Sequence, residues 1–248
     1  MRQEIDLAGV MSASLLVALA SLSARLVIWL PPRRLQAWLP WLQATAAGLL
    51  IGDALLHMLP EAIEHGISID QAGAWIGLGM LGLLALECLV RTVGTSSSTA
   101  VYARMDIIGD ALHHFVDGTV IGAAFAIDHT LGFVVALAIM AHELPREMGN
   151  AGVLVAGGYV PRRAFALSVV TTLAIPLGAL LVTLTGHSPW LLGASLALAA
   201  GTTLYLACGD VLPGIWPNLG ARHRFAPMLG VAAGMVFMWL AAGLEHRH

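Results

Sequence analysis

Residues 105–127 read MDIIGDALHHFVDGTVIGAAFAI. The stretch is long enough to cross about 30 Å of hydrocarbon as a helix. It nevertheless carries Asp106, Asp110, His113 and Asp117 at offsets 0, 4, 7 and 11. At 3.6 residues per turn those positions share one narrow face, with His114 on its border. An ionised side chain at the bilayer centre costs about 2.5–3.5 kcal/mol on insertion scales. Such a stripe must face other helices, water or a cation, so this segment predicts a helix enclosed in a bundle.

The rest of the chain supplies that bundle. Its 248 residues are 58% hydrophobic and 11% charged, with a mean hydropathy of +0.82. A soluble domain usually carries about a quarter charged residues. The composition is too apolar for a disordered chain and too weakly charged to grip nucleic acid through its phosphates. Seven further apolar stretches, at 8–30, 41–63, 71–93, 131–157, 164–186, 190–212 and 226–245, bring the expected count to eight spans in a single transmembrane domain over residues 1–248. Helices are the expected form, because a backbone in lipid must satisfy its own hydrogen bonds. The period-two alternation of a membrane barrel is absent. Cys88 and Cys208 lie inside apolar runs, which indicates neither a disulfide framework nor a thiolate zinc site.

Basic residues set the expected topology. All 12 are arginine, and nine of them (Arg25, Arg33, Arg34, Arg91, Arg104, Arg162, Arg163, Arg222, Arg224) flank the odd-numbered loops. Only Arg2 and Arg247 lie at the termini, and Arg146 lies within a span. This imbalance places the odd loops in the cytoplasm and both termini outside. The first span is not expected to be a cleaved leader, since its apolar run is too long and Arg2 to Asp6 is more acidic than basic.

Two more spans carry polar stripes. Asp53, His57 and Glu61 follow one another at i, i+4 and i+8 in the second, with Glu64 nearby. The fifth carries His142, Glu143, Arg146, Glu147 and Asn150 around Pro145, which removes a backbone donor and frees the carbonyl of Ala141. An internal repeat is also legible. Ala46-Ala47-Gly48 precedes Leu59-Pro60 in span two, Ala199-Ala200-Gly201 precedes Leu212-Pro213 in span seven, and Gly to Pro is twelve residues in both. The expected topology runs those spans in opposite directions, the pattern of an inverted repeat with its site near the midplane. Asp210 gains its interest from that repeat.

Imidazole nitrogen with carboxylate oxygen is a donor set for borderline divalent metals, Zn²⁺ first, with Fe²⁺ and Mn²⁺ also suited. His113 with Asp117, or Asp53 with His57, reads alternatively as a buried pair that only holds helices together. Asp106 reads equally as part of an ion path or as a solvated group at the cytoplasmic end. Glu61, Glu64 and His65 read equally as an ion entrance or a wet rim, and Glu87 as a helix-packing group.

The residues resemble those of the ZIP (Zrt/Irt-like) metal transporters. His113-His114-Phe115-Val116-Asp117-Gly118 resembles the family's fourth-helix motif, histidine-x-x-x-aspartate-glycine. His142-Glu143-Leu144-Pro145-Arg146-Glu147 resembles the fifth-helix motif His-Glu-x-Pro-His-Glu of one branch. Residues 52–61, GDALLHMLPE, look like that branch's second helix. The resemblance implies eight helices, with helices 1–3 repeated as 6–8 around helices 4 and 5. It implies that His113, Asp117 and His142 are ligands of the central site, with His114 and Glu143 at an adjoining position. Arg146 departs from the family pattern, standing where a metal-binding His or Glu is usual. A charged guanidinium cannot ligate. Arg146 is expected instead to act as a countercharge to Glu143, Glu147 or Asp117, leaving at most one metal in the central site.

The function expected is uptake of a divalent cation, zinc before Fe²⁺, Mn²⁺ or Cd²⁺, by alternating exposure of the midplane site. Asp53, His57, Glu61, Asp106, Asp110 and Asp210 would line or hold its path. No enzyme activity, catalytic cofactor, nucleic acid or nucleotide is expected. The chain has no lysine and no G-x-x-x-x-G-K-[ST] loop. The expected partners are the metal ion and the lipid bilayer, and a homodimer is compatible with the sequence. A bacterial inner membrane is the expected setting. The alternatives are a channel or a non-transporting relative neutralised by Arg146. An intramembrane metalloprotease is disfavoured, because Arg146 replaces the second histidine of H-E-x-x-H.

Overall fold

The computed structural model describes residues 6–93, 101–186, 188–215 and 225–245. The chain is all-α, with no strand among the described residues. Eight helical rods follow one another there. α1 is Leu7–Ala24, continued by a tight turn at Arg25–Trp29, and α2 runs from Pro32–Asp53 through a widened turn at Ala54–Met58 into Leu59–Glu64. α3 is Ile69–Val93, α4 Val101–Ile127 and α5 His129–Ala156. α6 is Pro161–Thr172 and Ala174–Thr185, α7 runs from Pro189–Tyr205 through Leu206–Val211 into Leu212–Ile215, and α8 is Ala226–Glu245.

Five rods, α1, α2, α3, α6 and α7, are long and apolar enough to cross a membrane, and α8 is apolar over the shorter Pro227–Ala241. α4 and α5 are long as well, at 27 and 28 residues. Their polar stripes lower their hydropathy, and their inner faces are buried almost throughout residues 105–125 and 142–154. These two helices form the middle of the bundle, where acids and imidazoles can be shared between helices. Asp128 caps α5 by accepting from the backbone N–H groups of Thr130 and Leu131, at 2.8 and 3.0 Å. Those donors favour its ionised form and hold its carboxyl below the usual range.

The packing partners exchange under the repeat. α2 packs most closely on α8 and α7 on α3; α1 packs on α5 and α6 on α4. Both α2 and α7 widen by one residue at corresponding places, where the N–H of Leu59 reaches the carbonyl of Ala54 and that of Leu212 reaches Ala207. Pro60 and Pro213 follow immediately. A proline donates no N–H and clashes with the carbonyl four residues back, so an extra residue in the preceding turn relieves both problems.

Gly48 and Gly201 are equivalent as well. A Cβ at Gly48 would lie 2.2 Å from the carbonyl oxygen of Val231 on α8, and one at Gly201 would lie 2.1 Å from that of Ile76 on α3. Helices in lipid associate through such close backbone approach. Leucine at either position is therefore expected to remove most of the monodisperse protein recovered by size exclusion in detergent. Wild-type recovery would show that these contacts tolerate separation.

Two sequence expectations change here. Arg25 is not a loop-flanking residue: it lies in the turn that continues α1 and is 2% exposed. Asp106 is 2% exposed and so is not a solvated end group. Glu87 does link helices, taking the Tyr205 hydroxyl of α7 and, along its own helix, Arg91 Nε at 2.6 Å.

Candidate metal centre

α4 presents Asp110, His113, His114 and Asp117 to α5, which answers with His142, Glu143, Arg146, Glu147 and Asn150; all nine are buried. α2 adds Asp53, also buried, and His57 from its widened turn. His57 has an acidic residue four positions away on either side. Its Nδ1 lies 3.0 Å from Asp53 Oδ1 and its Nε2 3.2 Å from Glu61 Oε2. A vestibule of about 270 Å³ opens beside it, lined by His57, Glu61, Glu64 and His65 together with apolar positions of α4, α5 and α7. Glu64, Ile127 and Leu131 are exposed along that lining, which descends α4 through Val120 toward Asp117 and α5 through Ile139 toward His142.

The buried groups divide into two halves. In the half nearer the vestibule, His113 Nδ1 lies 3.5 Å from Asp53 Oδ2, and its Nε2 lies 3.5 Å from Asp117 Oδ1 and 3.4 Å from Glu143 Oε1. The His142 ring sits 5.1 Å from that of His57 and 6.4 Å from that of His113, centre to centre. No arginine pairs with Asp53 or Asp117 among the described residues.

The far half holds two. Arg146 donates from Nε to Glu143 Oε1 at 2.6 Å, and its terminal nitrogens reach Asp110 Oδ1 at 3.2 Å and Glu147 Oε1 at 3.4 Å. Arg25 pairs with both Asp110 and Glu147. Arg146 thus takes Glu143 and Glu147, as the sequence suggested, and Asp110 in place of Asp117. His114 borders this half, with Nε2 3.0 Å from Glu143 Oε2. Ser21 of α1 donates to the same Glu143 oxygen at 3.2 Å.

Sequence reasoning missed Arg25, Ser21, Ser168 and Thr171. For Arg25 the available signal was that the apolar run continues past it, through Leu26 to Leu30. For α6 it was Ser168, Thr171 and Thr172 at helical spacing within an otherwise apolar span. Of the expected residues, Glu61 lines the vestibule, Asp106 lies outside the three clusters described below, and the side chain of Asp210 lies outside the described residues.

Three groups bring ligand atoms within 4.8 Å of one another: His113, Asp117, His142 and Glu143; Asp53, His57 and His142; and Asp110, His114 and Glu147. Hydrogen bonding is unfinished in all three, at His114 Nδ1 and Glu147 Oε1 in the third and at more atoms in the first two. Both ring nitrogens of His113 and of His142, Oδ2 of Asp53 and Oδ2 of Asp117 are buried without a hydrogen-bond partner. An unsatisfied buried polar atom costs about 1–3 kcal/mol. Tetrahedral zinc, with ligands at about 2.0–2.2 Å, brings its donors to within about 3.5 Å of each other. The His113–Asp117 and His113–Glu143 separations already match that spacing. The donor set and its spacing fit a borderline divalent cation.

The profile of the ZIP zinc transporters matches residues 93–242. Zinc transporter zipt-7.2 of Caenorhabditis elegans is 24% identical over 268 residues, covering 82% of this chain and 58% of its own length. Zinc transporter ZIP13 of Pongo abelii is 28% identical over 225 residues, covering 82% of this chain and 67% of its own length. Zinc transporter foi of Drosophila melanogaster is 35% identical over 144 residues, covering 58% of this chain and 20% of its own length. The aligned region thus accounts for between a fifth and two thirds of these relatives' own lengths. All three are animal proteins, so a bacterial inner membrane draws no support from them.

Proposed function

The chain belongs to the ZIP zinc transporter family, and from that premise we propose that it carries a divalent cation, zinc first, across a membrane through the cluster His113, Asp117 and His142. Glu143 completes the cluster with the oxygen it shares with Arg146. One observation carries the reading: buried imidazole and carboxylate atoms of His113, His142, Asp53 and Asp117 stand without hydrogen-bond partners, and no arginine pairs with either aspartate among the described residues. Asp53 and His57, which share His142 with that cluster, receive the ion from the vestibule. Alternating exposure of the cluster to the two sides then moves it. By the arginine distribution the vestibule faces outside and release is cytoplasmic. Fe²⁺, Mn²⁺ and Cd²⁺ suit the donors less selectively.

The test is an ion-panel flux assay on purified protein in liposomes. Saturating, zinc-preferring uptake supports a carrier; flux linear in concentration supports a channel; no flux of any ion contradicts transport. Arg146 stands where the H-E-x-x-H motif of a zinc protease has its second histidine, and no hydrolytic role is proposed.

Acidity provides a further check. Protons compete with the cation for every imidazole and carboxylate donor, so uptake is expected to fall as the vestibule-side pH is lowered from about 7.5 to about 5.5. Uptake that rises as the pH falls would contradict direct ligation.

A further inference from the structure

We propose that Arg25 and Arg146 together act as a fixed double positive charge in the far cluster, so that Asp110, His114 and Glu147 never take a metal and the protein holds one transported ion at a time. The inference rests on the reading of His113, Asp117 and His142 as the ion's position, and it assigns Arg25 the deciding part.

The geometry of Asp110 makes the case. Its two oxygens accept four donors from three helices. Oδ1 takes Arg146 at 3.2 Å and Asn150 Nδ2 at 3.1 Å; Oδ2 takes Arg25 and the Thr171 hydroxyl, the latter at 2.7 Å. A carboxylate offers about four lone-pair directions, so none remains for a cation. Glu147 Oε2 is likewise held by Arg25. Asp53 and Asp117, by contrast, each keep a buried oxygen free of hydrogen bonds, while the atoms left open in the far cluster are His114 Nδ1 and Glu147 Oε1, the latter 3.4 Å from Arg146.

Charge supports the assignment. Asp110, Glu143 and Glu147 bring three negative charges, and the two guanidiniums return two positive ones, the charge of one divalent ion. Arg146 alone cannot account for this, since its Nε is committed to Glu143. Arg25 is anchored from α1 and further fixed by donation to Ser168 of α6 at 2.5 Å. A metal that entered the far cluster would have to displace both guanidiniums from buried partners, which is expensive because each displaced charge would be left unpaired.

The experiment is equilibrium zinc titration of the purified full chain in detergent, with bound metal read by elemental analysis. The wild type is expected to bind one zinc per chain. Arg146→His supplies a ligand in place of a charge, yet it is expected to remain at one because Arg25 still fills the cluster. The double variant Arg25→Met with Arg146→His is expected to bind two, and added zinc should raise its melting temperature. Two zinc ions in the wild type, two in Arg146→His alone, or one in the double variant would each overturn the proposal. If the double variant fails to fold, the wild-type and Arg146→His stoichiometries decide alone. A failure of the underlying reading looks different: His113→Ala with Asp117→Ala would then keep its single zinc instead of losing it.

Discussion

Zinc uptake by reconstituted vesicles is expected to fall at least about 100-fold when Asp117 or His113 is replaced by alanine, while the protein remains folded and membrane-inserted. Loss of a partner outside the coordination shell already costs a metal site about 10–100-fold, and a ligand itself counts for no less. Folding should survive because neither residue is the sole partner of a buried cation. Asp117 has one oxygen without a hydrogen bond, and both nitrogens of His113 lack one. Removing Asp117 therefore deletes a buried negative charge without stranding a positive one, and the melting temperature should hold or rise. Unchanged uptake in both variants would remove these residues from the ion's path.

The opposite pattern is expected for Arg146→Met. Here the fold loses first, because Glu143, Asp110 and Glu147 all face that guanidinium from buried positions. Removing one partner of a buried ion pair costs about 3–5 kcal/mol. For a chain of this size that corresponds to a drop of about 10 °C in melting temperature, measurable by thermal shift in detergent. Combining Arg146→Met with Glu143→Gln should recover part of the loss, since it removes one of the stranded carboxylates. A melting temperature within about 2 °C of wild type would mean that water or another cation reaches the cluster and that Arg146 is not its countercharge.

Much of this architecture was legible because membrane sequence is constrained twice over, by apolar length and by the cost of every buried charge. The stripe Asp106, Asp110, His113 and Asp117 fixed the face that α4 turns inward, and His142, Glu143 and Glu147 fixed that of α5. Spacing alone could not say which acids would be neutralised by arginine and which would be left to a cation. Arg25 illustrates the limit. In a count of loop charges it is indistinguishable from Arg33 or Arg34, since the end of a helix and the start of a loop differ by the few residues through which α1 tightens at Arg25–Trp29. The widened turns before Pro60 and Pro213 were hidden for another reason: proline marks a disturbed ladder without saying whether the helix kinks, breaks or gains a residue. Their matching positions in α2 and α7 emerge only from the backbone.

The central claim is that a divalent ion is coordinated by side chains of α4 and α5 in the middle of the bundle, and X-ray absorption at the zinc edge of the loaded protein addresses it most directly. The expected spectrum shows imidazole scattering from two histidines with carboxylate oxygen at about 2.0–2.2 Å, and it loses the ordered shell in His113→Ala with Asp117→Ala. A shell of oxygen alone, as for a hydrated ion in a pore, or a spectrum unchanged by that double substitution would contradict it.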